Sequence, residues 1–299
     1  MKSLIKLSLL GILLLLVFIC YSLKDKMLYI DKNESLNSIN PFPNSTSSIS
    51  GNKVDDLPQT ENSSTISADK IDDMINDEKI YTEKSFEHRE IKIYVLGKDS
   101  CKNKMAILGS MHGDEPQGKY IIEQLMEYVK RNPEAIENKQ ILFIPNVNPD
   151  GLFRNKRGNA NNVDLNRNFP TKNWGSIEED KNTAYFPGSA ASSEPETRMI
   201  IKYIGDFNPE LIINIHAPLK LINYDGFNSE RIARLMAKYN KYKTAGDIGY
   251  PTPGSFGTYF GKERNIPVIT LETGNDKGEK AWQENKESIL SAIQNLGKF

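Results

Sequence analysis

The 299-residue chain has only two cysteines, Cys20 and Cys101, three histidines, His88, His112 and His216, and two tryptophans. Two cysteines exclude a disulfide scaffold and a four-cysteine zinc site. Any histidine-based metal site must be drawn from the three imidazoles. The formal net charge is −1, from 38 basic and 39 acidic side chains. That balance removes the main electrostatic reason to expect a nucleic-acid partner. No internal repeat is present. The chain does have a globular share of apolar residues: 38% hydrophobic, about 45% with glycine included.

The first long apolar run stands at the N-terminus. Residues 7–23 carry no charge and follow Lys2 and Lys6. A basic flank before an apolar run reads as a signal anchor or a signal peptide. As a helix it would span about 26 Å, enough for a thin bilayer. No small-x-small cleavage site follows, and Phe18 and Ile19 are bulky for lipidation at Cys20. An uncleaved anchor is therefore the favoured expectation and a cleaved signal the alternative. The flanking lysines predict an extracytoplasmic remainder, anchored to the cell membrane or secreted. Residues 24–78, crowded with Ser, Asn and Pro, lack a sustained period and predict a disordered linker.

From residue 79 the pattern turns globular. Strands are predicted at 90–96, with pairing to the residues just before it as an option, and at 104–111, 141–145, 211–215 and 266–271. Helices are predicted from Ile121 to Asn132, over 194–203 with Ser192 or Ser193 as cap, over 229–239 and over 280–296. Residues 147–192 read as a long Asn/Gly-rich irregular stretch. This alternation predicts an α/β fold: one domain, 79–299, with a mixed, mainly parallel β-sheet covered by helices on both faces.

The residues with chemical potential share one position. His112 and Glu115 follow the strand 104–111, His216 follows 211–215 and Glu272 follows 266–271. Ligands of open α/β sheets sit outside the carboxyl ends of strands. His112, Glu115 and His216 make a two-histidine, one-carboxylate set, which suits a catalytic zinc that keeps a fourth position for water. A lone His-x-x-Glu would be a weak signal; the combination carries the weight. His88, in the charged run Glu87 to Glu90, reads as solvated.

Six segments occur in an order that resembles the zinc carboxypeptidase family. They are His112-Gly-Asp-Glu115, Asn148-Pro-Asp-Gly151, Arg154-Asn-Lys-Arg157, Val163 to Phe169, Ile215-His216 and Thr270-Leu-Glu-Thr273. Within the family, Pro149-Asp-Gly-Leu152, His216-Ala-Pro-Leu219 and Tyr250 to Gly257 resemble the bacterial murein peptide amidase A branch. The resemblance implies one Zn²⁺ ion on His112, Glu115 and His216, with Glu272 as general base. It implies Arg157 at the oxyanion, Asn166 and Arg167 on the substrate carboxylate, and Asp164 orienting His112. Tyr250 matches the family's substrate-contacting tyrosine, although Pro251 to Gly254 depart from that pattern. Asn214 stands where some related acylases carry Asp.

The implied function is hydrolysis of peptide or γ-D-glutamyl-diamino acid bonds in short peptides with a free carboxylate. The implied partner is a peptide derived from peptidoglycan, met by a monomeric catalytic domain. Three alternatives remain at this level: a general metallocarboxypeptidase trimming C-termini, an N-acyl amino acid deacylase, and an inactive wall-peptide-binding module.

Overall fold

The computed structural model describes residues 78–177 and 180–299. These fall within one compact unit spanning residues 64–299. The expected anchor (1–23) and nearly all of the expected linker lie outside the described residues. Among the described residues no helix is long and apolar enough to cross a membrane.

Eight strands form one mixed sheet: β1 (Lys79–Lys84), β2 (Glu90–Leu96), β3 (Asn103–Gly109), β4 (Lys139–Ile144), β5 (Leu211–His216), β6 (Leu221–Asp225), β7 (Lys243–Ala245) and β8 (Val268–Glu272). Their spatial order is β1-β2-β4-β3-β5-β8-β6-β7. The hairpin β1–β2 pairs Lys79 with Val95 and Lys84 with Glu90, and its tight turn carries His88, exposed as expected. Strands β4, β3, β5 and β8 run parallel. The apolar stretches Met105–Leu108 and Leu211–Ile213 are continuous because these central strands are buried on both faces.

Among the described residues five α-helices flank the sheet: α1 (Gln117–Arg131), α2 (Pro149–Arg154), α3 (Pro195–Phe207), α4 (Ser229–Asn240) and α5 (Glu279–Gln294). One face of the sheet packs on Ile121, Ile122 and Leu125 of α1, Ile232 of α4 and Ile289 of α5. The other packs on Met199, Ile200 and Ile204 of α3 and on an aromatic group from Phe169, Phe256, Tyr259 and Phe260. Phe169 meets the Phe256 ring edge-on at 5.4 Å, and its backbone N–H donates to the Gly254 carbonyl at 2.9 Å. This packing ties the segment bearing Asn166 and Arg167 to the π-helical turn Gly257–Lys262.

The chain leaves β3 for β4 on one side, then returns to place β5 on the other side of β3. A crevice therefore opens outside the carboxyl ends of β3 and β5, the switch point where open α/β sheets bind ligands.

The structure moves several expected boundaries. Glu194, not Ser192 or Ser193, is the N-cap of α3, with Pro195 at its first position. The expected irregular stretch contains α2, which Asn148 caps by accepting from the Gly151 N–H at 2.9 Å, with Pro149 at N1. Strands β6 and β7 were not expected. Both are short, and β6 carries Asn and Asp on the face it turns to the cleft. Replacing Phe169 with Ala should cost about 3–5 kcal/mol of stability. Urea denaturation checks this, and a loss below about 1 kcal/mol would mean that the aromatic group does not anchor the segment.

Candidate metal and catalytic centre

The expected ligands converge at the crevice. The β3 end turns through Ser110 to Glu115 and the β5 end supplies His216, and all three candidate ligands are buried. Glu115 bridges the imidazoles: Oε1 lies 2.8 Å from His112 Nδ1, and Oε2 lies 2.8 Å from His216 Nδ1. The two Nδ1 atoms are 3.1 Å apart. Glu115 Oε2 also accepts the Ala217 N–H at 3.2 Å.

The turn is built by close backbone contact. A Cβ on Gly113 would lie 2.0 Å from the Gly151 carbonyl carbon, so α2 rests directly on the turn and only glycine fits. Asn148 Nδ2 donates to the carbonyls of Met111 and Arg157, at 3.2 and 3.3 Å. One amide thus joins the histidine turn to the arginine loop.

Asp164 is fully buried. Its Oδ1 accepts from His112 Nε2 at 3.0 Å and from the Asn166 N–H at 2.9 Å. Its Oδ2 accepts from Arg157 Nε and Nη2 at 3.1 and 2.9 Å. Burial alone would raise the Asp164 pKa, but His112 and the arginines hold it well below the usual carboxylate range. Arg157 Nη1 points back to Glu115 Oε1 at 3.6 Å. Of the two arginines in that run, Arg157 lines the cleft, whereas Arg154 pairs with Glu87 away from it.

The donor set fits zinc. Burial lowers the His112 pKa, yet Glu115 and Asp164 reverse this and push it up to about 9. The same histidines overcome burial to hold Glu115 low. One carboxylate and two imidazole Nδ1 atoms thus face one point, with Asp164 behind His112 on Nε2, an arrangement that a cation between them completes. A tetrahedral zinc with bonds of about 2.1 Å sets its ligand atoms about 3.4 Å apart, close to the spacing seen. Asn214 Nδ2 lies 2.9 Å from His216 Nε2, while its buried Oδ1 has no partner. The two ends of an amide are nearly the same size. With the oxygen toward His216, it accepts the Nε2 hydrogen and leaves the Nδ1 lone pair for metal.

Glu272 ends β8 and sits directly across from His216. Its Oε2 is buried without a hydrogen-bond partner. Burial pushes its pKa up, opposed by His216 and reinforced by Glu115. Asn166, Arg167 and Tyr250 line the same cleft, of about 700 Å³. Asn166 Oδ1 is fixed by the Phe256 N–H at 2.9 Å, and Arg167 Nη1 by the Asn166 carbonyl at 2.8 Å. Tyr250 is exposed. The cleft also brings in residues the sequence reading passed over. The Tyr185 ring lies 5.2 Å from the Arg157 guanidinium and 5.5 Å from that of Arg167, and Asp225 and Lys262 lie along one wall.

Asp164→Asn should weaken zinc binding about 10- to 100-fold. Competition against a chelator measures this, and unchanged affinity would remove Asp164 from the support of His112.

A profile of the zinc carboxypeptidase family matches residues 76–231. Murein peptide amidase A of Escherichia coli K12 is 32% identical over 199 residues, which span 64% of this chain and 77% of that protein. The Vibrio campbellii murein peptide amidase A is 29% identical over 212 residues, 68% of this chain and 82% of that one. The crystal structure of murein-tripeptide amidase MpaA from E. coli O157 matches with a TM-score of 0.56 at 25% identity, covering 74% of this chain and 92% of that one. Carboxypeptidase A of Helicoverpa armigera shares the fold, with a TM-score of 0.64 at 23% identity over 77% of this chain and 72% of that one. With the profile spanning just over half of its length and a donor set that fits zinc, the chain belongs to the zinc carboxypeptidase family of metallopeptidases.

Proposed function

We propose that this metallopeptidase hydrolyses the γ-D-glutamyl–diamino acid bond of short cell-wall peptides with a free carboxylate. The observation that carries the reading is one cleft lined by His112, Glu115, Arg157, Asn166, Arg167 and Glu272. Similarity to murein peptide amidases over most of the domain supports the substrate class.

His112, Glu115 and His216 would hold the ion. Bound there, zinc supplies Lewis acidity, polarising the scissile carbonyl and lowering the pKa of a water. Arg167, with Asn166 beside it, pairs with the free carboxylate of the departing residue; a guanidinium fork suits two carboxylate oxygens. Arg157, clamped by Asp164, offers a permanent cation to the negative charge that develops on the carbonyl oxygen. Glu272 Oε2 takes the proton of the attacking water and returns it to the leaving amine nitrogen. Its raised pKa shortens the gap between its basicity and that of its proton partners. Tyr250 adds a substrate contact at the rim. The basic-flanked apolar run at residues 7–23 supports an activity outside the cytoplasm, anchored to the membrane or secreted.

Mass-spectrometric product analysis on L-Ala-γ-D-Glu-meso-diaminopimelate tests the reading. Release of diaminopimelate is expected. No cleavage by the zinc-bearing protein, while ordinary peptides are trimmed, would refute it. Glu272→Gln should keep the zinc and lose about 10²- to 10⁴-fold in kcat. In the parent protein kcat/KM should fall as pH drops through the Glu272 pKa, which lies above the ordinary carboxylate value because burial raises it. Full turnover by Glu272→Gln would remove it as the base.

A further inference from the structure

Strands β6 and β8 build one wall of the cleft. They pair antiparallel, with Leu221 opposite Glu272, Asn223 opposite Thr270 and Asp225 opposite Val268. Alternate residues of a strand share a face, and Asn223, Asp225, Thr270 and Glu272 all line the cleft. The wall therefore runs in order from Glu272, past Thr270 and Asn223, to Asp225. Four residues along a strand give a distance of about 13 Å.

The far end of this wall carries one charge of each sign. Asp225 is only 8% exposed. Its Oδ1 lies 3.1 Å from Lys262 Nζ, on the π-helical turn, whose side chain is 56% exposed. The turn approaches closely: a Cβ on Gly257 would lie 2.2 Å from Asp225 Oδ2. Only glycine lets the turn come this close to the carboxylate, and Asp225, Gly257, Thr258 and Lys262 line the cleft together. Burial pushes the Asp225 pKa up and Lys262 opposes it. A fixed, mostly buried carboxylate thus faces a long, movable ammonium.

This pair selects by charge. A lone ammonium entering the cleft can reach Asp225 only beside the Lys262 charge, which repels it. A lone carboxylate that approaches Lys262 from the cleft meets the Asp225 charge beside it, which repels it. A group that carries both charges satisfies both partners and leaves neither unpaired.

We propose that Asp225 and Lys262 form the specificity end of the cleft and read a zwitterionic side-chain terminus, its ammonium against Asp225 and its carboxylate against Lys262. This rests on the function proposed above and sharpens it. The substrate residue is a diamino dicarboxylic acid rather than a basic amino acid. In diaminopimelate four C–C bonds separate the two amino-acid centres, about 5 Å when extended. That leaves the rest of the 13 Å wall for the Glu272 and Asp225 side chains and their contacts.

Full-length protein and two peptides test this: L-Ala-γ-D-Glu-meso-diaminopimelate and L-Ala-γ-D-Glu-L-Lys. The parent protein should cleave the first with kcat/KM at least tenfold higher. Lys262→Met should lower kcat/KM on the diaminopimelate peptide at least tenfold, through KM, and raise it on the lysine peptide by removing the repulsion. Asp225→Asn should lower it on both, because both carry the ammonium. Zinc content equal to that of the parent shows each variant folded. If Asp225→Asn fails that check, Lys262→Met decides, since its side chain is largely in solvent. Equal cleavage of both peptides by the parent, or an equal fall on both in Lys262→Met, overturns the zwitterion reading and leaves γ-D-glutamyl hydrolysis standing. Cleavage of neither, with ordinary peptides trimmed, overturns both.

Discussion

The Asp164 carboxylate is the contact on which the rest of the site depends. Fully buried, it meets His112, Arg157 and the backbone of Asn166 at once. One group therefore sets the orientation of a metal ligand, the cation near Glu115 and the start of the turn that presents Arg167. Burying a carboxylate is costly unless every lone pair finds a donor. Here four N–H donors surround it, two of them from a guanidinium that carries a permanent charge. The cost is offset, and the three functional groups cannot drift independently.

Topology supplies the other half of the arrangement. The reversal of strand order about β3 opens the crevice, and the strand ends on either side of it deliver His112 and His216. Backbone contact then holds the turn in place. Gly113 lies against Gly151, and Asn148 bonds both the histidine turn and the arginine loop. The second motif of the sequence is thus a buttress for the first and contributes no ligand of its own. On the other face, Phe169 and the rings around Phe256 fix the segment that carries Asn166 and Arg167.

Much of this was legible in the sequence because it depends on local signals. Continuous apolar runs marked the central strands, and the histidines fell just past their ends. The pattern could not separate Arg154 from Arg157 without the motif register. The structure separates them by direction, one pairing with Glu87 and the other with Asp164. Asp225 and Lys262 went unnoticed for a physical reason. Strand β6 is five residues long with polar side chains facing the cleft, so its alternation resembles a loop, and Lys262 reaches Asp225 only through tertiary packing. Tyr185 likewise gains meaning only from Arg157 and Arg167, which are distant in sequence. The anchor and nearly all of the linker, read from the apolar run and from composition, lie outside the described residues.

Two imidazoles and one carboxylate between β3 and β5 form a site for one zinc ion. Anomalous diffraction at the zinc edge, from crystals of the zinc-bearing protein, tests it most directly. A single ion about 2.0–2.2 Å from His112 Nδ1, His216 Nδ1 and a Glu115 oxygen is expected. An anomalous peak elsewhere, or none between these three side chains with zinc bound, would contradict it.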